Sequence, residues 1–154
     1  MLPLYVDLDG TFVKTDLLLE SFISALKKNP LVLFFCIYWL VQGIATLKAR
    51  LAELAEIDVS LLPLNVEFYD YLLDESAKGR EIILATAANE KFAKAIVSHY
   101  PVFTSFISSS EGENLKGSNK LKKILEYGNK FAYAGNHQID FKLFSVAAES
   151  ILVN

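Results

Sequence analysis

Cysteine is almost missing from this sequence: Cys36 is the single one in 154 residues. An internal disulfide framework and a thiolate zinc cluster are thereby excluded, and a reducing compartment fits. Apolar neighbours mark Cys36 as a small buried hydrophobe rather than a reactive thiol. A basic excess is missing too, with 15 Lys and Arg against 18 Asp and Glu, which excludes a general nucleic-acid binder. No basic segment followed by an apolar stretch opens the chain, so no secretory signal is read there. Repeats, low-complexity tracts and flexible linkers are also lacking.

What is present is a 53% hydrophobic, 21% charged chain, long enough to bury one core and carry a small insertion. Leu4 to Leu8 is an apolar run that ends in aspartates and a glycine, the pattern of a buried strand opening into a loop. Asp16 is placed to cap a helix over Leu17–Lys28, ended by Asn29-Pro30. Leu31 to Ala45 follows with Gln42 as its one strongly polar residue, and residues 47–53 have amphipathic spacing. Val66–Lys78 reads as a helix stopped by Gly79. Strands and helices then alternate: strand Ile82–Ala85, helix Glu90–His99 capped by Asn89, strand Phe106–Ser108, helix Lys120–Tyr127, strand Phe131–Ala134, helix Asp140–Ala147, strand Ile151–Val153. Alternation of this kind predicts an α/β fold, a mostly parallel sheet of about five strands with helices on both faces. About 70 residues separate the first two strands, far more than a crossover needs, and the surplus is helical. The expected organisation is therefore a core of residues 1–15 and 64–154 with a helical insertion at 16–63.

Open parallel sheets put their sites beyond the carboxyl ends of the strands. Four polar signals fall there. Asp7-Leu8-Asp9-Gly10-Thr11 sets two carboxylates two residues apart, like charges that need a shared cation or proton. Thr86 follows a strand and precedes Ala87 and Ala88. Lys116-Gly117 precedes a helix, and Gly135-Asn136-His137-Gln138-Ile139-Asp140 follows the strand at Phe131–Ala134. His137 reads as a loop histidine, and His99 as the end of a helix.

Together, in this order, these residues resemble the four-motif signature of the haloacid dehalogenase superfamily, over nearly the whole chain. The resemblance implies a Rossmann-like core and a magnesium-dependent phosphatase. Asp7 is then the nucleophile, Asp9 the acid and base, and Thr11 orders the loop and the Asp9 carboxyl. Gly10, Thr86, Ala87 and Lys116 serve the phosphate. Asp7, the Asp9 carbonyl, Asn136 and Asp140 hold Mg2+, a hard-oxygen set suited to that ion. One departure stands out: the fourth motif usually begins Gly-Asp, and here it begins Gly135-Asn136. One negative charge is lost, so either magnesium binds more weakly or the fold has become a binding or regulatory module.

The apolar run at residues 31–41 has three readings: a slightly short transmembrane helix, a buried cap helix, or an interfacial helix with Lys27, Lys28, Lys48 and Arg50 near headgroups. Residues 6–21, 47–53 and 84–96 are similar to the haloacid dehalogenase domain that precedes UbiA-type polyprenyl transferases in bacterial fusion proteins. That likeness implies a phosphorylated small molecule or a prenyl- or sugar-linked phosphate as substrate. It further implies a membrane surface or prenyltransferase as partner, and a cytoplasmic protein peripheral to the inner face of the membrane.

Overall fold

The computed structural model describes residues 1–110, 112–136 and 140–153. Five strands, β1 (Leu4–Val6), β2 (Ile82–Asn89), β3 (Ser105–Ser109), β4 (Ala132–Gly135) and β5 (Glu149–Leu152), form one sheet. It is parallel throughout, in the order β3-β2-β1-β4-β5. β1 is central, with Leu4 in register with Ile82 on one side and Ala132 on the other.

The period-two alternation of a strand divides β1 between two cores. Leu4 and Val6 face a cluster with Phe68 and Leu72 of α4 (Val66–Ala77) and Phe92 and Ile96 of α5 (Glu90–His99). Tyr5 faces the opposite cluster, with Ile124 of α6 (Ser118–Tyr127) and Leu143 of α7 (Phe141–Val146). The expected α/β sandwich is what the chain forms.

Between β1 and α4 come α1 (Leu17–Lys28), α2 (Val32–Gln42), α3 (Ile44–Leu54) and a 3-10 turn at Val59–Leu61. The chain leaves and re-enters the core side by side: Lys14 N donates to the Pro63 carbonyl at 2.7 Å and Asn65 N to the Phe12 carbonyl at 2.9 Å. Asp16 accepts from the Leu18 and Leu19 amides and starts α1. The apolar stretch does not run on into the amphipathic helix. It breaks at Gly43, whose φ of 123° belongs to the left-handed half that favours glycine. α1–α3 share a small cluster around Ala25, Val32 and Leu51, against which Cys36 is half-buried rather than enclosed.

Other boundaries shift for physical reasons. β2 continues to Asn89, so Thr86 lies within it, beside a register irregularity between Ala85 and Asn89. β5 begins at Glu149 because its carboxylate meets the buried Arg80 guanidinium at 2.5 Å, and Arg80 also holds Glu75 at 2.7 Å.

Candidate active site

β2 and β3 lie on one side of β1, and β4 and β5 on the other. The strand order therefore reverses between β1 and β4, where a doubly wound sheet opens a crevice. A cavity of about 220 Å³ lies there, with Asp7, Asp9, Lys48, Lys116, Lys120 and Asp140 in its wall.

Asp7 is fixed at both ends. Its amide donates to the Ala134 carbonyl of β4 at 2.9 Å, and its Oδ1 accepts from Lys120 Nζ at 2.7 Å. The Lys120 ammonium is buried, donates also to the Tyr133 hydroxyl at 3.1 Å, and stands 3.9 Å from Asp140 Oδ1. Burial first, then the charges of Asp7 and Asp140 and a hydrogen bond to Asp140, push the Tyr133 phenol well above its ordinary range. Tyr133 thus stays a neutral bridge between Lys120 and Asp140.

Asp9 Oδ1 accepts from the Leu17 amide at the start of α1, at 2.8 Å. Desolvation raises this carboxyl to about 7, assisted by the charges of Asp7 and Asp16 and opposed by the Leu17 bond and Lys48. A carboxyl in that range carries a proton near neutrality and exchanges it readily, which suits a general acid and base.

The surroundings of three expected site residues differ in detail from the motif reading. The lysine beside Asp7 is Lys120, not Lys116; Lys116 precedes α6 and lines the same cavity without a described bond to Asp7. A sequence signal for this existed, since Lys120 and Ile124 are one helical turn apart and are the buried residues of α6. Thr11 is buried, its hydroxyl has no hydrogen-bond partner among the described residues, and the bond described to the Asp9 carboxyl comes from the Leu17 amide. Thr86 Oγ1 accepts from the Ala88 amide at 2.9 Å within the irregular stretch of β2, while Ala87 and Ala88 reach the cavity wall.

Gly10 has a φ of 71°, and a Cβ there would collide with the Asn136 side chain. It therefore shapes the loop against Asn136 rather than lining the cavity. Asn136 Nδ2 donates to the Gly10 carbonyl at 2.5 Å, a bond an ionised aspartate could not make. Asn136 Oδ1 is buried and has no hydrogen-bond partner among the described residues. His137 lies outside the described residues.

Among the described residues no three His, Cys, Asp or Glu side chains gather as a metal site. Asp7 and Asp140 line the cavity, and Asn136, which packs on Gly10, has a side-chain oxygen without a described partner; these are hard oxygen donors of the kind magnesium takes. The set fits that ion with one charge fewer than three carboxylates would give.

Lys48, expected from the sequence as a flanking cation near headgroups, is turned inward instead. Lys48 of α3 reaches into the cavity, where Nζ donates to the Ala87 carbonyl at 2.7 Å and to Asn114 Oδ1 at 3.0 Å.

The fold is that of the haloacid dehalogenase hydrolases. A haloacid dehalogenase family hydrolase from Salmonella enterica serovar Typhi superposes with a TM-score of 0.67 at 12% identity, covering 95% of this chain and 61% of that one. A substrate-bound phosphoserine phosphatase gives 0.64 at 14% identity, covering 97% and 84%. A protein of unknown function from Bordetella pertussis Tohama I gives 0.73 at 14% identity, covering 97% and 88%. In sequence, the chain is 34% identical over 153 residues to the uncharacterized protein y4nM of Sinorhizobium fredii (strain NBRC 101917 / NGR234). That match takes in 99% of this chain but spans only 30% of the relative's length. No family model matches.

Proposed function

We propose that the protein is a magnesium-dependent phosphomonoesterase that works through an aspartyl-phosphate on Asp7. The observation that carries this reading is the placement of Asp7, held by Lys120, in one cavity with an Asp9 carboxyl raised to about 7. Asp7 attacks phosphorus while Asp9 gives its proton to the departing ester oxygen. Asp9, now a carboxylate, takes a proton from water as that water attacks the acyl phosphate, releasing phosphate and restoring Asp7. Lys120 and Lys116 offset charge on the phosphoryl oxygens. Magnesium, when bound by Asp7, the Asp9 carbonyl, Asn136 and Asp140, supplies charge neutralisation and alignment of the phosphoryl group.

In this reading residues 16–63 form a cap over a core of 1–15 and 64–154, and the cap meets lipid. α2 leaves Phe34, Ile37, Tyr38 and Val41 exposed, Val41 at 85%, a larger apolar face than a monomer ordinarily shows to water. Among the described residues no helix is long and apolar enough to cross a membrane, so α2 lies in the interface. An apolar groove of about 480 Å³ beside α2 shares Asp16 and Leu18 with the catalytic cavity. That continuity favours a prenyl- or sugar-linked phosphate as substrate and a membrane prenyltransferase as neighbour, at the cytoplasmic face. Three of the four flanking cations contribute little: Lys28 pairs with Glu56, Arg50 with Glu53, and Lys48 turns into the cavity, while Lys27 is exposed.

The Asn136–Gly10 bond favours a second reading, a module that binds phosphate without turnover. Hydrolysis of p-nitrophenyl phosphate over a magnesium titration separates the two. A working enzyme is active and is silenced by Asp7→Asn; a binding module is silent, and Asn136→Asp restores it.

A further inference from the structure

We infer that Lys48, carried into the cavity by α3, is a receptor for an anionic oxygen of the substrate phosphate, and so a specificity-determining residue contributed by the inserted helices. The inference deepens the phosphatase reading, but needs from it only that the cavity takes a phosphate.

The neighbours of Lys48 on α3, Ala49, Leu51 and Ala52, are buried. Lys48 reaches across to the core, to Ala87 at the end of β2 and Asn114 in the loop before α6. Both acceptors are neutral oxygens, and Lys48 makes no ion pair with any described carboxylate. Lys48 is half-buried, and the two fully buried cations differ from it: Lys120 has Asp7, and Arg80 has Glu75 and Glu149. A half-buried cation without a counter-charge has given up part of its hydration, and a bound anion offsets that loss.

The nearby acids do not serve as that anion. Asp9 is committed to the Leu17 amide and Asp16 to the Leu18 and Leu19 amides. Desolvation lowers the Lys48 ammonium below its ordinary range, with Asp9 and Asp16 only partly opposing this and Lys116 and Lys120 adding to it. The cavity thus gathers Lys48 and Lys116 in its wall beyond the Lys120 that Asp7 already holds. A phosphate ester dianion placed on Asp7 meets that surplus positive charge. Ala87 and Asn114 hold Lys48 Nζ at the wall from two sides.

A latch is the competing role, with Lys48 merely tying α3 to the core. Lys48→Gln separates the two, since glutamine keeps a hydrogen-bond donor for the Ala87 carbonyl and removes the charge. Asn114→Ala does the converse, loosening the tie and keeping the ammonium. The readouts, on the full chain, are calorimetric binding of inorganic phosphate, melting temperature, and the split between KM and kcat for p-nitrophenyl phosphate. Lys48→Gln is expected to weaken phosphate binding by about 10-fold, a 1.4 kcal/mol effect. It should raise KM similarly with kcat little changed, while Lys48→Arg recovers most of the loss and Asn114→Ala, which keeps the ammonium but loosens its hold, weakens phosphate binding clearly less than Lys48→Gln. Wild-type phosphate affinity in Lys48→Gln overturns the inference. Equal losses of binding and melting temperature in Lys48→Gln and Asn114→Ala overturn it in favour of the latch. If the wild type hydrolyses nothing yet Lys48→Gln still loses phosphate, the turnover reading fails and the receptor stands.

Discussion

Lys120 Nζ donates to Asp7 Oδ1 at 2.7 Å, joining the first turn of α6 to the end of the central strand, 113 residues earlier in the chain. Both groups are nearly enclosed, so each offsets the other's desolvation, and loss of one strands the other. Lys120→Met is therefore expected to cut kcat by about 100-fold or more. It should also cost about 3 kcal/mol in urea unfolding. Lys116→Met, which breaks no bond to Asp7, should leave stability within about 0.5 kcal/mol and affect KM more than kcat.

Asp9 makes stability and activity depend on pH. Its folded carboxyl titrates near 7, against about 3.9 for a free aspartate. The folded state holds the proton more tightly, so this stabilising contribution is complete below pH of about 4 and is lost as pH rises through about 7. Asp9→Asn should therefore gain on the wild type between pH 5 and pH 8, by on the order of 2 kcal/mol at the upper end. Chemical denaturation at the two pH values reads this out. Wild-type kcat should also fall above pH of about 7 as the acid form disappears.

Asn136→Asp exchanges a donor for an acceptor against the Gly10 carbonyl. Without divalent cations the variant should melt lower, by an equivalent of about 1–3 kcal/mol. Added magnesium should raise its melting temperature more than the wild type's, since the site regains a carboxylate. Thermal scans in chelator and in magnesium give both numbers.

The face of α2 makes a separate prediction. Phe34 and Val41 are 68% and 85% exposed, so Phe34→Glu with Val41→Glu should leave folding intact and abolish flotation with liposomes. Because three of the four flanking cations are paired or turned inward, neutral and anionic vesicles should retain the wild type about equally. A strong preference for anionic vesicles would instead indicate an electrostatic surface.

The sheet, its alternation with helices and the helical surplus after β1 were legible because each strand is a short apolar run bounded by turn residues. The start of β5 was not, since Glu149 fits a strand only through Arg80, an ion pair made across 69 residues. In the site, Asp7, Asp9 and Asn136 announced themselves as polar residues at strand ends. Lys120 and Lys48 did not, because a lysine on an apolar helix stripe reads as an exception until its distant partner is known. The Asn136–Gly10 bond and the bare Thr11 hydroxyl belong to loop packing that no local pattern encodes.

Reductive trapping of the phosphorylated protein tests the central claim most directly. Borohydride added during turnover of p-nitrophenyl phosphate should convert Asp7, and no other aspartate, to homoserine, detected by peptide mass spectrometry. The conversion should be absent in Asp7→Asn, which should also be inactive. Continued hydrolysis with Asp7 unlabelled, or by the Asp7→Asn protein, would contradict nucleophilic catalysis by Asp7.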